Sequence, residues 1–218
     1  MINTNPKIQT KLYGLNLQLD SLIRLFNKNL LSNKILLSGP KGIGKCTLAY
    51  HFINYIFSKN EEDKYNLNDN FINANNRSFK LLKNRSHPNI YSIDLIDDKK
   101  NIEISQIREM ISYANKSSFN NKVRFVLIDG VENLNLNSSN ALLKIIEEPN
   151  TNLFFFLIHD SRKNILNTIK SRCITYNLNL SFKESINIAN SLLNENINLF
   201  INEDIINYYV TPGEIINL

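Results

Sequence analysis

The residues best placed for chemistry stand at 39–47. There Gly39-Pro-Lys-Gly-Ile-Gly-Lys-Cys-Thr47 meets the first seven places of the pattern G-x-x-x-x-G-K-[ST]. A loop of this kind wraps phosphate oxygens with backbone N–H groups at a helix N-terminus, and its lysine neutralises the terminal phosphates. The expected contacts are Gly39, Gly42, Gly44, Lys45, Cys46 and Thr47. Three of the chain's six glycines are spent here, which argues against a chance turn. The eighth place is wrong, however. Cys46 stands where a hydroxyl normally holds Mg²⁺, and a soft thiol is a poor ligand for a hard cation. Thr47 does not repair the loss, because one step along a helix turns a side chain by roughly 100°. The loop looks built for nucleotide but poorly equipped for hydrolysis.

Further along, Phe125-Val-Leu-Ile-Asp129 is an apolar strand ending in an acid, where a carboxylate could orient Mg²⁺ through water. Gly130 follows it, where an active enzyme of this type places a glutamate aimed at the attacking water. Glu132 is displaced by two positions and is not expected to reach. Arg172, in Thr168-Ile-Lys-Ser-Arg-Cys173, lies between a helical stretch and an apolar strand. It is either a surface charge or an arginine finger for a phosphate on another subunit. Arg77, Lys80, Lys83 and Arg85 recur at helical spacing, and Lys116, Lys122 and Arg124 form a second basic group. Either could meet a phosphate backbone or be a solvated face.

These residues need a scaffold that alternates strand and helix. Strands are expected at Lys34–Ser38, Asn89–Leu95, Arg124–Asp129, Leu153–His159 and Cys173–Leu178. The first four are near-continuous apolar or β-branched runs, the mark of parallel strands buried on both faces. Helices are expected at Leu15–Leu31, Lys45–Phe57, Asp69–Asn84, Ile104–Lys116, Asn137–Glu147 and Arg162–Lys170. Pro149 stops the fifth of these. The alternation predicts an α/β fold, a doubly wound parallel sheet. A break at Leu178–Ser181 divides a core, residues 1–180, from a helical segment, 181–218. The capping box Ser181-Phe-Lys-Glu184 opens that segment. Helical stretches follow at Phe182–Asn194 and Glu203–Tyr209, with another start at Pro212.

Composition narrows the class. Twenty-five Lys and Arg oppose twenty Asp and Glu, a net charge of +5 that suits nucleic acid without requiring it. Cys46 and Cys173, the chain's two cysteines, lie far apart and cannot build a disulfide framework or a zinc quartet. A reducing cytoplasm is expected. The N-terminus lacks an apolar leader, and the run Leu153–Ile158 is too short to span a membrane.

Taken together, the motifs resemble the bacterial clamp-loader family of AAA+ proteins, in particular the delta-prime subunits of DNA polymerase III. The resemblance is carried by Leu12-Tyr-Gly14, the loop Gly39–Lys45, His87-Pro88, Ile107-Arg108, Val126–Asp129, Asn140-Ala-Leu-Leu-Lys144, Glu147-Glu-Pro149 and Thr168–Cys173, in that order. It implies an AAA+ core with a five-stranded parallel sheet, a small helical lid, and a place in a pentamer that loads the sliding clamp on primed DNA. Partners would be the gamma/tau and delta subunits, the clamp and primed DNA, within a DNA polymerase holoenzyme and away from any membrane. Arg172 would reach the ATP of an adjacent subunit, and this chain would hydrolyse none itself. ATP or ADP would bind weakly or not at all. Family members often carry four cysteines after the P-loop helix; 58–87 has none, so no zinc or other metal is expected. The segment Thr211-Pro-Gly-Glu-Ile lacks the lid arginine of active relatives and offers Glu214 instead. The family's C-terminal collar domain is expected to be missing. Two other readings stay open: an active gamma/tau-like ATPase, and a DNA-binding module with a vestigial nucleotide site.

Overall fold

The computed structural model describes residues 4–95, 99–116, 122–194 and 210–217. Among them five strands form one all-parallel sheet: β1 Lys34–Gly39, β2 Ile90–Ile93, β3 Arg124–Asp129, β4 Leu153–Asp160 and β5 Ile174–Asn177. Their order is β2-β3-β4-β1-β5. The helices are α1 Asn16–Asn27, α2 Lys45–Ser58, α3 Arg77–Lys83, α4 Ile104–Asn115, α5 Leu136–Glu147, α6 Asn167–Lys170, α7 Phe182–Leu193 and α8 Pro212–Ile216.

The continuous apolar runs are explained by two cores, one on each side of the sheet. Ile35, Leu37, Phe125, Leu127, Phe156 and Ile158 point to the side covered by α1 and α2. Their strand neighbours Leu36, Val126, Ile128, Phe155 and Leu157 point to the side covered by α4 and α5. Successive residues face opposite ways, so a strand covered on both faces needs apolar residues throughout. Each such side chain contributes about 1.5–3 kcal/mol by leaving water. Aromatic rings fill the first core: Phe52 of α2 lies edge-on to Phe26 and Phe125 and tilted against Phe156.

Two expected spans are shortened by asparagine chemistry. The helix expected from Asp69 begins only at Arg77, because the Asn76 side chain accepts from the Phe79 N–H and caps it there. Before it, Asn70 is left-handed at φ +49° and Asn66 pairs with Phe71 in an isolated bridge. Helix α1 stops at Asn27. Asn29 turns left-handed at φ +56°, its N–H bonds Phe26 O, and the Leu30 N–H bonds Leu25 O. That pair of bonds is a Schellman ending, for which Asn is the second-choice residue after Gly.

The strand at 89–95 also differs from expectation. β2 is an edge strand, and only Ile93 in it is buried. Its apolar character reflects one covered face, not two. Beyond β5, the capping box at Ser181 and Glu184 opens α7 as the pattern required. α7 and α8 share a small cluster of Ile186, Ala189 and Ile215. The helix expected at Glu203–Tyr209 lies outside the described residues.

Candidate functional site

Five parallel strands aligned in one sense place their carboxyl ends along one edge, where α/β proteins build their sites. β1 ends at Gly39 and leads into the loop; β3 ends at Asp129; β4 ends at Asp160. Gly42 and Gly44 take φ +90° and +92°, conformations that side chains with a Cβ rarely adopt. They turn the chain so that α2 opens at Lys45 with its first N–H groups lacking intrahelical acceptors. A cleft of about 540 Å³ runs beside this turn. Lys41–Thr47 and Asp129 form one wall, Gln9, Lys11, Leu12 and Tyr13 the second, and Ile188, Leu192 and Pro212–Glu214 the third. The volume is in the range of sites for small molecules and cofactors.

The structure brings Gly42, Gly44, Lys45, Cys46, Thr47 and Asp129 together on this cleft. Gly39 lies behind it: its carbonyl, with that of Pro40, accepts the Lys45 ammonium at 2.7 and 2.6 Å. Burial lowers the Lys45 pKa from its usual value, while the charges of Asp160, Asp129 and Glu132 oppose that fall. Cys46 is buried, and burial pushes its thiol well above the usual range, with the Asp129 charge adding to the rise. Asp129 is itself raised by burial; its hydrogen bond with the Cys46 thiol and the Lys45 charge pull the other way. A neutral thiol facing a desolvated carboxyl is not a Mg²⁺ site. The loop and lysine fit phosphate; the metal donors do not fit. Among the described residues no group of three His, Cys, Asp or Glu side chains could hold a metal ion.

Glu132 does not line the cleft, as expected from its displacement, although its charge acts on Lys45. It sits in a 3₁₀ turn, Val131–Asn133, launched by Gly130 at φ +83°. Its Oε2 accepts the Asp160 backbone N–H at 3.1 Å. The carboxylate is thereby engaged in holding the end of β4.

Other residues at this edge were not singled out from sequence. Asp160 accepts the Arg162 N–H at 3.2 Å and lies 3.4 Å from its Nε. Burial would raise Asp160, but these contacts outweigh it and hold the carboxyl below its usual value. Arg162 reaches across to Glu214 of α8, NH1 to Oε1 at 2.6 Å. Beneath them His159 Nε2 donates to Lys163 O at 2.9 Å, and its Nδ1 shares a hydrogen bond of 2.9 Å with Ser38 Oγ. The carbonyl can only accept, so Nε2 carries a proton. The available signal was the polar run His159-Asp-Ser-Arg162 directly after a buried strand. In a parallel sheet that position is the edge where ligands bind.

Arg172 is elsewhere. Its guanidinium bonds Glu147 through Nε and NH2 at 2.9 and 2.7 Å and Thr168 O through NH1 at 3.1 Å. It precedes β5 and so stands at the amino edge of the sheet, remote from its own phosphate loop.

The basic groups divide. Arg77, Lys80 and Lys83 are exposed along α3. Arg85 falls past the helix end, left-handed and paired with Asp94 at 2.7 Å. Arg124 does not belong to a surface group at all. It is 5% exposed and donates to the carbonyls of Tyr113 and Ala114, tying β3 to the end of α4.

Residues 15–181 match the family described as DNA polymerase III, delta subunit. The chain belongs to that family. Among delta-subunit relatives, it is 30% identical to the DNA polymerase III subunit delta′ of Buchnera aphidicola subsp. Schizaphis graminum over 190 residues. That stretch is 84% of this chain and 56% of the relative. It is also 30% identical to the delta′ subunit of Pseudomonas aeruginosa over 139 residues, 64% of this chain and 40% of the relative. The chain thus spans about half the length of the curated relatives it matches. A solved DNA polymerase III gamma subunit-related protein from Thermotoga maritima superposes with a TM-score of 0.50 at 21% identity. It covers 80% of this chain and 49% of that one. That likeness concerns the fold, which is the AAA+ α/β architecture expected from the motifs.

Proposed function

We propose that this chain is a clamp-loader subunit that hydrolyses no nucleotide itself and supplies Arg172 to the nucleotide of an adjacent subunit. The observation that carries the proposal is the placement of Arg172. It is a partly exposed guanidinium at the sheet edge opposite the phosphate loop, oriented by Glu147 and Thr168. From there it can serve a phosphate only on another molecule. The failure of Cys46 and Asp129 as a Mg²⁺ site supports the second half: phosphoryl transfer without a correctly held metal loses its main charge stabilisation. The family's role in DNA polymerase III supplies the context of sliding clamp, primed DNA and gamma/tau and delta partners. Any ATP or ADP held at the loop would be weakly bound.

The test is reconstitution of the chain with its partner ATPase subunits, clamp and primed DNA. Arg172→Ala is expected to cut DNA-stimulated ATP turnover while the variant still assembles. Unchanged turnover would overturn the assignment. The reading as an active gamma/tau-like ATPase predicts turnover by the isolated chain, and the metal-site chemistry argues against it. A second role, holding DNA, is favoured by one observation. Arg77, Lys80 and Lys83 stand exposed at intervals of three along α3, and binding through them would weaken steeply with salt.

A further inference from the structure

We infer that Glu214 and Arg162 form an internal latch that keeps the C-terminal helices closed over the phosphate loop without nucleotide, the carboxylate taking the place at Arg162 that a phosphate would claim. The inference goes beyond the clamp-loader reading and does not depend on Arg172.

Three observations support it. The first is that Glu214 has two separate tasks. Its Oε2 accepts from Thr211 N at 2.9 Å and Thr211 Oγ1 at 3.0 Å, closing the capping box of α8. Its Oε1 leaves the helix and pairs with Arg162 at 2.6 Å. A residue needed only for capping would have no call on the core.

The second is that the arginine is pre-set. Asp160 Oδ1 accepts from Arg162 N and Nε, and Asp160's own N–H is held by Glu132. A chain of contacts therefore runs Glu132–Asp160–Arg162–Glu214–Thr211, from the turn after β3 to the start of α8. Two carboxylates flank one guanidinium, and Glu214 lines the cleft itself. An incoming phosphate would meet a guanidinium already neutralised and a like charge beside it.

The third is close backbone contact. The Gly213 N–H donates to Gly42 O at 3.0 Å. A methyl group at Gly42 would meet Thr211 Oγ1 at 2.5 Å, and one at Gly213 would meet the Gly42 Cα at 2.8 Å. The phosphate loop and the start of α8 approach to a distance that only paired glycines allow.

The experiment is a distance distribution by double electron–electron resonance. Spin labels would go on Lys80→Cys in α3 and Lys183→Cys in α7, in a Cys46→Ala, Cys173→Ala background checked by circular dichroism. The nucleotide-free chain is expected to give a dominant closed distance with a minor open one, in a ratio that ADP leaves unchanged. Glu214→Gln keeps the cap, since glutamine serves at that position, but removes the charge; Arg162→Gln removes the partner. Each is expected to shift the closed-to-open ratio about two- to fivefold, and the double variant no further than either single. Glu214→Gln should also tighten ADP binding on the order of tenfold, by deleting the competing charge. Gly213→Ala should open the helices regardless of charge. The inference is overturned by single variants that keep the native distribution, by additive effects in the double variant, or by ADP narrowing the distribution of the unaltered chain.

Discussion

Arg172 and Lys45 stand at opposite ends of one parallel sheet. Ile174 of β5 pairs with Ile35 of β1, so Arg172 lies level with the residue before β1, while Lys45 follows the far end of that strand. At about 3.3 Å per residue the strand alone separates the two levels by roughly 20 Å. No rotamer closes that gap. One phosphate could not meet both the guanidinium and the ammonium.

Loss of Arg172 should be silent in the isolated protein and loud in the complex. Its ion pair with Glu147 is solvent-exposed and worth about 0–1 kcal/mol. Arg172→Ala is expected to leave thermal unfolding nearly unchanged while DNA-stimulated ATP turnover of the assembled loader falls about tenfold or more. Arg172→Lys should not rescue turnover, because an ammonium cannot reproduce the planar fork. Parallel melting curves and turnover assays separate the two effects.

Cys46 should tolerate alanine and resist chemistry. It is buried with its thiol pushed well above the usual range, and Cys173 is likewise raised to about 11 by burial. A thiol-specific chromogenic reagent is therefore expected to react slowly with the folded chain and promptly with both cysteines in denaturant. Cys46→Ala should leave clamp loading close to the native level. A large loss would show that the thiol is used.

His51 should make stability pH-dependent. It is fully buried, and its ring nitrogens are paired with Tyr65 OH at 2.8 Å and Gln9 O at 3.2 Å. Burial lowers its pKa from 6.5 to about 4, against a smaller upward pull from the Gln9 carbonyl. Between those values the unfolded chain binds more protons than the folded one. The stabilising effect of the neutral ring is thus complete above about pH 6.5 and is lost as pH falls toward 4, on the order of 3 kcal/mol. Urea unfolding across that range should show the slope. His51→Gln should flatten it, leaving a remainder from His87, which burial also lowers to about 4.

Phe52 should be the costliest apolar truncation. It is fully buried and touches three rings that join α1, β3 and β4. Phe52→Ala is expected to cost about 3–5 kcal/mol in denaturant unfolding. A loss below about 1 kcal/mol would mean that the rings repack around the void.

The strands at 34, 124 and 153 were legible because burial on both faces requires unbroken apolar sequence, and the loop was legible because its glycines serve backbone angles that few residues can adopt. Helix ends near asparagine were not. Asn29, Asn70 and Asn76 offer the backbone competing bonds, and whether a side chain caps or turns depends on what lies opposite it. Arg124 misled for a related reason: charge in a sequence does not tell whether carbonyls wait to receive it.

The sequence by itself determined the strand–helix alternation, the phosphate loop and the absence of a hydroxyl at Cys46. Each is a property of neighbouring residues or of a residue's own atoms. Only the tertiary structure decided that Glu132 holds the end of β4, that Arg162 meets Glu214 fifty-two positions away, and that Arg172 pairs with Glu147 at the opposite end of the sheet. Those relationships join ends of separate strands and helices. They exist only once the sheet order brings β3, β4 and β1 side by side and sets the start of parallel β5 at their amino ends.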